Sequence, residues 1–124
     1  MILGVGVDLV SVERMQAAIA RWEGRLVGRL FTTEEVATCQ RRARPEVHLA
    51  ARFAAKEALL KAIGIGWGRG AAWREVEVQG TGAPLLCLRG RVQELAAARG
   101  VQRTHLSMSH DGGYAIAVVV VSDV

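Results

Sequence analysis

Two carboxylates in apolar surroundings are the first candidates for chemistry. Asp8 interrupts the apolar run 5–10, and Glu57 stands among alanines and leucines in a segment rich in helix-forming residues. An unpaired charge buried in such a setting is costly, so each carboxylate needs a partner. One interpretation is that Asp8 and Glu57 together bind a hard cation. The simpler alternative for Asp8 is a strand-end aspartate that helps to cap the next helix.

Lys61 follows Glu57 at the i, i+4 spacing of neighbours on one helix face. An ordinary Glu-to-Lys pair at this spacing contributes a few tenths of a kcal/mol. Of the 16 cationic side chains, however, only Lys56 and Lys61 are lysines. Because an ammonium group is a compact charge whereas a guanidinium is planar, a lysine here favours contact with a phosphate oxygen. Both interpretations stay open at this point.

A cluster of polar residues precedes a glycine turn near the end of the chain. Ser107, Ser109 and His110 lie at the end of a predicted strand, which is a usual place for ligand contacts. A hydrolase triad is disfavoured because these residues are nearly contiguous and no G-x-S-x-G motif is present. The glycine-rich segment 64–70 could cradle a phosphate, but it lacks the Gly-Lys-Ser/Thr of a P-loop, and a flexible connector fits equally well.

The predicted first helix carries a row of arginines. Arg14, Arg21 and Arg25 are spaced seven and four residues apart, which places them on one side of a continuous helix. This row is either a solvated face or a docking face for an acidic protein. The net charge of +4 also favours an anionic partner. The aromatic residues do not cluster into a base-stacking platform, so we expect no nucleic-acid partner.

Periodicity and end signals predict the elements that must position these side chains. Ser11 can cap the first helix, Thr32-Thr33-Glu34-Glu35 has the form of a capping box, and Gly64 stands where the longest helix should stop. The predicted elements are a strand 2–8, helices from 11, from 32 and over 45–63, strands 73–79 and 84–89, a helix 91–98, and a hairpin 104–109 and 114–121. The strand 73–79 is expected to be half-exposed, with Glu75 and Glu77 on its polar face. The last strand is apolar on both faces, so a partner subunit could supply part of its cover.

Length and composition limit the class of protein. The 124 residues are expected to form a single domain, 1–124, and no run of about 18 apolar residues is available to cross a membrane. The apolar start lacks the basic region of a secretion signal. Two distant cysteines form neither a disulfide framework nor a zinc motif. A cytoplasmic location is therefore expected.

Several motifs in a fixed order carry a resemblance to a known family. They are Gly4–Val10 with Arg14, Phe31-Thr32 with Glu35, Arg52–Ala58 with Lys61–Gly64, Trp73–Val78, and His105–His110. Over essentially its full length the chain resembles the holo-acyl-carrier-protein synthases, the small class of phosphopantetheinyl transferases. The resemblance implies an α+β fold in which an antiparallel sheet packs with a long central helix. It also implies assembly as a homotrimer with the active site between subunits. Arg74 and Ala83 depart from the family pattern.

The resemblance implies an activity as well. The expected reaction transfers 4′-phosphopantetheine from coenzyme A to a serine of apo acyl carrier protein, in fatty-acid or polyketide biosynthesis. Adenosine 3′,5′-bisphosphate is the second product. The alternative is a non-catalytic module of the same fold that binds a nucleotide or an acidic protein.

Roles for individual residues follow from the same resemblance. Asp8 and Glu57 would hold Mg²⁺, and Lys61 would neutralise charge on the pyrophosphate of coenzyme A. The proton acceptor would be Glu57 or a metal-bound water. The coenzyme A contacts would be Arg52, Lys61, Gly64, Ser109 and His110. The acidic carrier protein would dock on Arg14, Arg21 and Arg25.

Overall fold

The computed structural model describes residues 1–22, 24–66 and 70–124. The helices are α1 Val12–Trp22, α2 Gly24–Leu30, α3 Thr33–Gln40, α4 Pro45–Ala62 and α5 Gly90–Ala98. The strands are β1 Ile2–Ser11, β2 Val76–Gln79, β3 Leu85–Leu88, β4 Arg103–Asp111 and β5 Tyr114–Ser122. One 3-10 turn spans Trp73–Glu75. None of the helices in these ranges combines the length and apolar composition needed to cross a bilayer.

All strand pairing in the described residues is antiparallel. A three-stranded sheet has the order β1-β5-β4, and β2 pairs with β3 in a separate two-stranded sheet. The β4–β5 hairpin turns at Gly112 and Gly113, whose φ angles of 57° and 83° are both positive. Glycine at both central positions suits such a tight hairpin turn. The predicted α+β class and the terminal hairpin are confirmed.

Helix α4 packs directly on β1 because two glycines let the backbones approach closely. A Cβ atom at Gly4 would lie 1.9 Å from the carbonyl oxygen of Ala62, and one at Gly6 would lie 1.9 Å from that of Ala58. Alternation along the strand puts Asp8 on the same face as these glycines. The close packing therefore brings Asp8 to the surface of α4.

The two faces of the three-stranded sheet differ in cover. On the α4 side, the alternate β5 residues Ala115, Ala117, Val119 and Val121 are fully buried. On the opposite side, apolar side chains of β1 and β5 remain exposed. They include Val5, Val7, Leu9, Ile116 and Val118. This chain thus covers one face of its last strand, and the expectation of a partner on the other face stays a prediction.

One local prediction is wrong. The predicted strand 73–79 begins as a 3-10 turn, and only Val76–Gln79 forms a strand. The placement of Arg25 on one helical row with Arg14 and Arg21 stays a prediction, since the described ranges are Val12–Trp22 for α1 and Gly24–Leu30 for α2.

The expected exposure of Glu77 is also wrong. Glu77 is buried, because Thr32 Oγ1 donates a hydrogen bond of 2.5 Å to one carboxylate oxygen and Arg89 Nη2 donates one of 3.2 Å to the other. Tertiary partners therefore override the alternation of apolar and polar residues along β2.

Candidate active site

The two predicted carboxylates line one cavity. A cavity of about 470 Å³, here called the carboxylate cavity, lies between β1, α1, α2 and α4 and contains Asp8 and Glu57 in its wall. Arg14 lines the same cavity, and most of the remaining wall is apolar. The fold therefore unites two acids that are 49 positions apart in the chain.

Lys61 is connected to the two carboxylates by hydrogen bonds to β1. Its Nζ donates hydrogen bonds of 3.0 Å to the Asp8 carboxylate and of 3.0 Å to the carbonyl oxygen of Val7. The Asp8 side chain is 13% exposed whereas that of Lys61 is 55% exposed, so Lys61 reaches solvent beside Asp8. Lys61 is thus held next to Asp8 and lies in the electrostatic field of Glu57 as well.

The carboxylate cavity has the chemistry of a divalent-cation site. Burial raises the pKa of Glu57, and the nearby Asp8 carboxylate raises it further, against the opposing effect of Lys61. A cation between two such carboxylates relieves their repulsion. Within residues 1–22, 24–66 and 70–124, no group of three or more His, Cys, Asp and Glu side chains forms a complete metal cage. Mg²⁺ commonly uses one or two protein carboxylates and takes its other ligands from water and substrate phosphates, so these residues fit it.

A second cavity, here called the cationic cavity, has a volume of about 390 Å³ and lies elsewhere on α4. Its basic side chains are Arg42, His48, Arg52 and His110. The Arg52 residue is only 4% exposed, and its Nη2 donates a hydrogen bond of 3.1 Å to the carbonyl oxygen of Gly80. Its buried Nε has no hydrogen-bond partner among the described residues. An unsatisfied buried guanidinium donor is suited to an anion.

Ser109 and His110 leave the edge strand β4 in opposite directions. His110 pairs with the buried Ala115 and faces α4, where its ring lies 6.0 Å from that of His48, almost edge-on. Ser109 pairs with Ile116 and shares the outer, exposed face of the sheet. Both residues line the cationic cavity, although only the His110 side chain lies on the α4 side of the sheet.

The geometry of α4 keeps the two cavities apart. Arg52 and Glu57 are five positions apart, which corresponds to about 140° around a helix that advances about 100° per residue. His48 lies one turn before Arg52 on the first face, and Phe53 lies one turn before Glu57 on the second. One chain therefore presents two groups of ligand-binding candidates in different directions.

Gly64 has a structural role of its own. It ends α4 with a φ angle of 71°, and a Cβ atom there would lie 2.5 Å from Arg99 Nη1. The left-handed conformation and this close contact both favour glycine. Its contact with coenzyme A stays a prediction. The predicted phosphate cradle 64–70 includes Gly68, which lies outside the described residues.

The three predicted docking arginines are exposed but belong to different surroundings. Arg14 lines the carboxylate cavity, and the Cζ of Arg21 lies 5.4 Å from the ring centre of Trp22. Arg25 lies on α2, where it lines a separate cavity with Trp22 and Arg29. Their common role in docking stays a prediction.

The small number of lysines suggested that each of them contacts a phosphate oxygen, and this expectation is wrong for Lys56. Lys56 is fully buried, and its Nζ donates to the Glu35 carboxylate at 2.7 Å, to the Trp73 carbonyl oxygen at 3.2 Å and to that of Val76. Glu35 in turn accepts a hydrogen bond of 2.9 Å from the backbone N–H of Val78. Lys56 therefore joins α4 to α3 and β2 and is inaccessible to substrate.

Sequence reasoning did not identify Arg42 and His48 as site residues. His48 precedes Arg52 by four positions, so the helical spacing was a usable signal. Arg42 lies in the connection between α3 and α4, and no periodic pattern places it in the cavity.

The fold and the two cavities together define an α+β protein that can bind a phosphorylated ligand, with a carboxylate pair at one end and a basic cluster at the other. The model of the 4′-phosphopantetheinyl transferase superfamily matches residues 4–119. The chain belongs to this superfamily.

Similar proteins agree with this assignment. The chain is 42% identical over 125 residues to a holo-acyl-carrier-protein synthase of Koribacter versatilis, covering 99% of this chain and 100% of that one. The structure of the Neisseria meningitidis synthase has a TM-score of 0.88 at 31% identity, with coverage of 98% and 99%. The Helicobacter pylori synthase in complex with coenzyme A has a TM-score of 0.83 at 32% identity, with coverage of 95% and 99%.

Proposed function

We propose that residues 1–124 form a single phosphopantetheinyl transferase domain. The domain moves 4′-phosphopantetheine from coenzyme A to a serine of apo acyl carrier protein and releases adenosine 3′,5′-bisphosphate. The observation that carries this proposal is that Asp8 and Glu57 line one cavity and Lys61 is hydrogen-bonded to Asp8, in a chain that belongs to the transferase superfamily. The name and the bound coenzyme A of the Helicobacter pylori relative support the same substrate.

The chemistry requires a nucleophile, a proton acceptor and a stabilised leaving group. The carrier serine oxygen attacks the pyrophosphate phosphorus that bears the pantetheine arm, and the bond from this phosphorus to the bridging oxygen breaks. Negative charge then develops on the departing nucleotide, where Lys61 would neutralise it. Either Glu57 or a metal-bound water would accept the serine proton.

Asp8 and Glu57 would also hold Mg²⁺ in this reaction. The bound ion would supply positive charge to the pyrophosphate oxygens that neither carboxylate can approach alone. The repulsion between the two carboxylates supports this assignment.

Coenzyme A would also contact the cationic cavity, through Arg52 and His110, with Ser109 and Gly64 as further contacts. The two cavities of one chain face different directions, so we propose that one ligand bridges two subunits of a homotrimer. The exposed Val5, Val7 and Leu9 beside Ile116 and Val118 form the apolar surface that such assembly would cover. Sedimentation analysis tests this point, since a fully active monomer would contradict it.

The carrier protein would dock on Arg14, Arg21 and Arg25, as complementary charge would orient an acidic partner. We expect the reaction in the cytoplasm, without nucleic-acid or membrane partners. The free thiols of Cys39 and Cys87 agree with a reducing compartment.

The intact mass of apo acyl carrier protein, after incubation with this protein and coenzyme A, tests the proposed function. We expect a mass gain of one phosphopantetheine with Mg²⁺ and none with EDTA. The Asp8→Ala variant, shown to be folded by circular dichroism, is the matched inactive control. If a folded wild-type sample modifies none of several carriers, a non-catalytic binding module becomes the better description.

A further inference from the structure

A close approach between two backbones lies beside the carboxylates of the carboxylate cavity. Gly6 precedes Asp8 by two residues and is buried on the same face of β1. A Cβ atom at Gly6 would lie 1.9 Å from the carbonyl oxygen of Ala58, the residue that follows Glu57 on α4. This glycine contact is therefore one residue from Glu57 on the helix and two residues from Asp8 on the strand.

The two backbones at the glycine contact have little freedom to move. On the strand side, Gly6 pairs with Val119 and Asp8 pairs with Ala117, and both of these β5 residues are fully buried. On the helix side, a Cβ atom at Gly6 would meet a backbone oxygen rather than the end of a flexible side chain. Closely packed interiors have low compressibility and transmit such a change. The contact therefore fixes the separation of β1 and α4.

A second link between β1 and α4 lies at the same place. Lys61 Nζ donates hydrogen bonds of 3.0 Å to the carbonyl oxygen of Val7 and of 3.0 Å to the Asp8 carboxylate. Val7 stands between Gly6 and Asp8, so these hydrogen bonds join the same two elements beside the glycine contact. The glycine permits the close approach and the lysine holds the strand in it.

The separation of two carboxylates affects which cation they can hold. Mg²⁺ requires near-ideal octahedral geometry with oxygens at about 2.0–2.1 Å, whereas Ca²⁺ accepts a more flexible shell at about 2.3–2.6 Å. A methyl group at Gly6 would force β1 and α4 apart by more than about 1 Å, because atoms that are not bonded pack at about 3.5 Å. Since Asp8 and Glu57 belong to different elements, their spacing would change with the separation of the backbones. A shift of this size exceeds the difference in ligand distance between the two ions.

We propose that Gly6 is a positioning residue that sets the separation of Asp8 and Glu57 and thereby selects a small divalent cation for this site. The inference rests on the proposed function and adds to it the feature of the fold that determines which cation is held. Gly6 has no side chain with which to bind a ligand, so it acts through the position of Asp8. A wider separation lowers the affinity for Mg²⁺ more than the affinity for a larger ion.

Gly6→Ala tests the proposal, and Gly4→Ala is the matched control. A Cβ atom at Gly4 would also lie 1.9 Å from a carbonyl oxygen of α4, that of Ala62, so the steric conflict is the same. Gly4 is four residues from Asp8, and Ala62 is five residues beyond Glu57, so the control disturbs the packing further from the carboxylates. Urea unfolding should show similar losses of stability for both variants. A purely structural role of the glycines would affect the two variants alike in every measurement.

Binding of Mn²⁺ to the full chain, followed by electron paramagnetic resonance of the free ion, is the direct readout. Competition with Mg²⁺ and with Ca²⁺ gives the affinities for the smaller and the larger ion. The titrations are made without and with coenzyme A, whose phosphates can supply further ligands. Gly6→Ala should weaken Mg²⁺ binding about tenfold and Ca²⁺ binding less than about threefold, in the range seen when the supports of metal ligands are altered. Gly4→Ala should keep the wild-type ratio of the two affinities.

Asp8→Glu provides a second test that leaves the glycine contact intact and applies even if Gly6→Ala does not fold. The longer side chain carries its carboxylate one methylene further from β1. If the separation is fixed, Asp8→Glu alone should weaken Mg²⁺ binding about tenfold. Combined with Gly6→Ala, it should restore part of the preference for Mg²⁺ over Ca²⁺. Wild-type affinities in Asp8→Glu would show that the separation adjusts to the side chain, which overturns the proposal.

The outcomes separate this inference from the proposed function. If Gly6→Ala and Gly4→Ala change the ratio of the Mg²⁺ and Ca²⁺ affinities equally while the wild type modifies a carrier, the positioning role is overturned and the transferase assignment stands. The same holds if the wild type modifies a carrier but binds none of the three ions. If folded wild-type protein neither binds an ion nor modifies a carrier, the proposed function itself fails.

Discussion

The two lysines of this protein lie on one helix and have different roles. Lys56 is completely buried and uses its ammonium group to bind a carboxylate and two backbone carbonyls. Lys61 is more than half exposed and is hydrogen-bonded to Asp8, which lines the carboxylate cavity. Residue type and helix are the same, so only the neighbouring elements distinguish a structural charge from one available to substrate.

Helical geometry explains how both environments occur within six positions. Lys56 and Lys61 are about 140° apart around α4. The first faces α3 and β2, where Glu35 is buried, and the second faces β1. Burial lowers the pKa of Lys56, and the Glu35 carboxylate opposes that shift by stabilising the charged form. The comparison predicts that variants on the two faces affect different measurements.

The largest effect is expected for the carboxylates beside Lys61. Asp8→Asn and Glu57→Gln should each reduce kcat about 100- to 1,000-fold, since each removes a ligand of the Mg²⁺ that would stabilise charge at the reacting phosphate. Carrier modification followed by intact mass gives the rates. Glu94→Gln, an exposed acid on α5, is the control and should keep wild-type turnover. Near-normal turnover of either variant would remove that residue from the site.

The next effect concerns stability on the Lys56 face. Lys56→Met should lower the free energy of unfolding by about 3–5 kcal/mol, because the Glu35 carboxylate is left buried without its cation. Lys61→Met should lower it by less than about 1 kcal/mol, since an exposed pair contributes little. Urea unfolding measures both values. Equal losses for the two variants would contradict the division between the faces.

The Lys61 face is tested separately by turnover. Lys61→Met should decrease kcat about 100-fold while the protein stays folded, because the charge on the leaving nucleotide loses its neutralising partner. Lys61→Arg restores the charge but not the compact ammonium group, so we expect partial recovery. A Met variant with wild-type kcat would show that Lys61 serves only to orient Asp8.

A smaller effect is expected at the docking arginines. Reversing Arg14 and Arg21 together to Glu should raise KM for the carrier about tenfold and leave KM for coenzyme A nearly unchanged. Arg91→Glu on α5 is the matched charge reversal away from both cavities. A parallel rise in both KM values would locate the effect in the catalytic centre rather than in docking.

The smallest effect is a pH-dependent gain in stability. Folding raises the pKa of Glu57, so ionisation of this residue destabilises the folded protein as the pH rises through that pKa. Glu57→Gln should therefore have a higher Tm than the wild type at pH 7 in metal-free buffer. Below the ordinary glutamate pKa of about 4.3 the residue is neutral in both states, and the difference should disappear. Calorimetric scans at both pH values measure it, and a lower Tm of the variant at pH 7 would contradict the shift.

Local signals in the sequence predicted much of the fold correctly. The capping box of Thr32 and Glu35 forms as expected, and Gly64 ends the long helix. The Ser11 hydroxyl accepts the predicted hydrogen bond from the backbone of Arg14 at 3.2 Å. These features depend on contacts within a few residues, which the sequence specifies directly.

Other features depended on partners distant in the chain. Glu35 was predicted as a cap, but its buried bond to Lys56 spans 21 positions. Glu77 was predicted on an exposed face, but Thr32 and Arg89 bury it. In each case the period of the helix or strand was insufficient to predict burial, since it does not specify which neighbouring element packs against each face.

For this protein, the sequence alone determined the types of most elements, the motifs of the transferase superfamily and the candidate pair Asp8 and Glu57. Only the tertiary structure decided that these carboxylates share a cavity, that Lys56 is inaccessible, and that Arg42 and His48 join Arg52. The physical reason is the distance along the chain over which each kind of interaction acts. Periodicity and capping act over a few residues, whereas burial and charge pairing are set by close packing of β1 on α4 and by the direction in which each turn of that helix points.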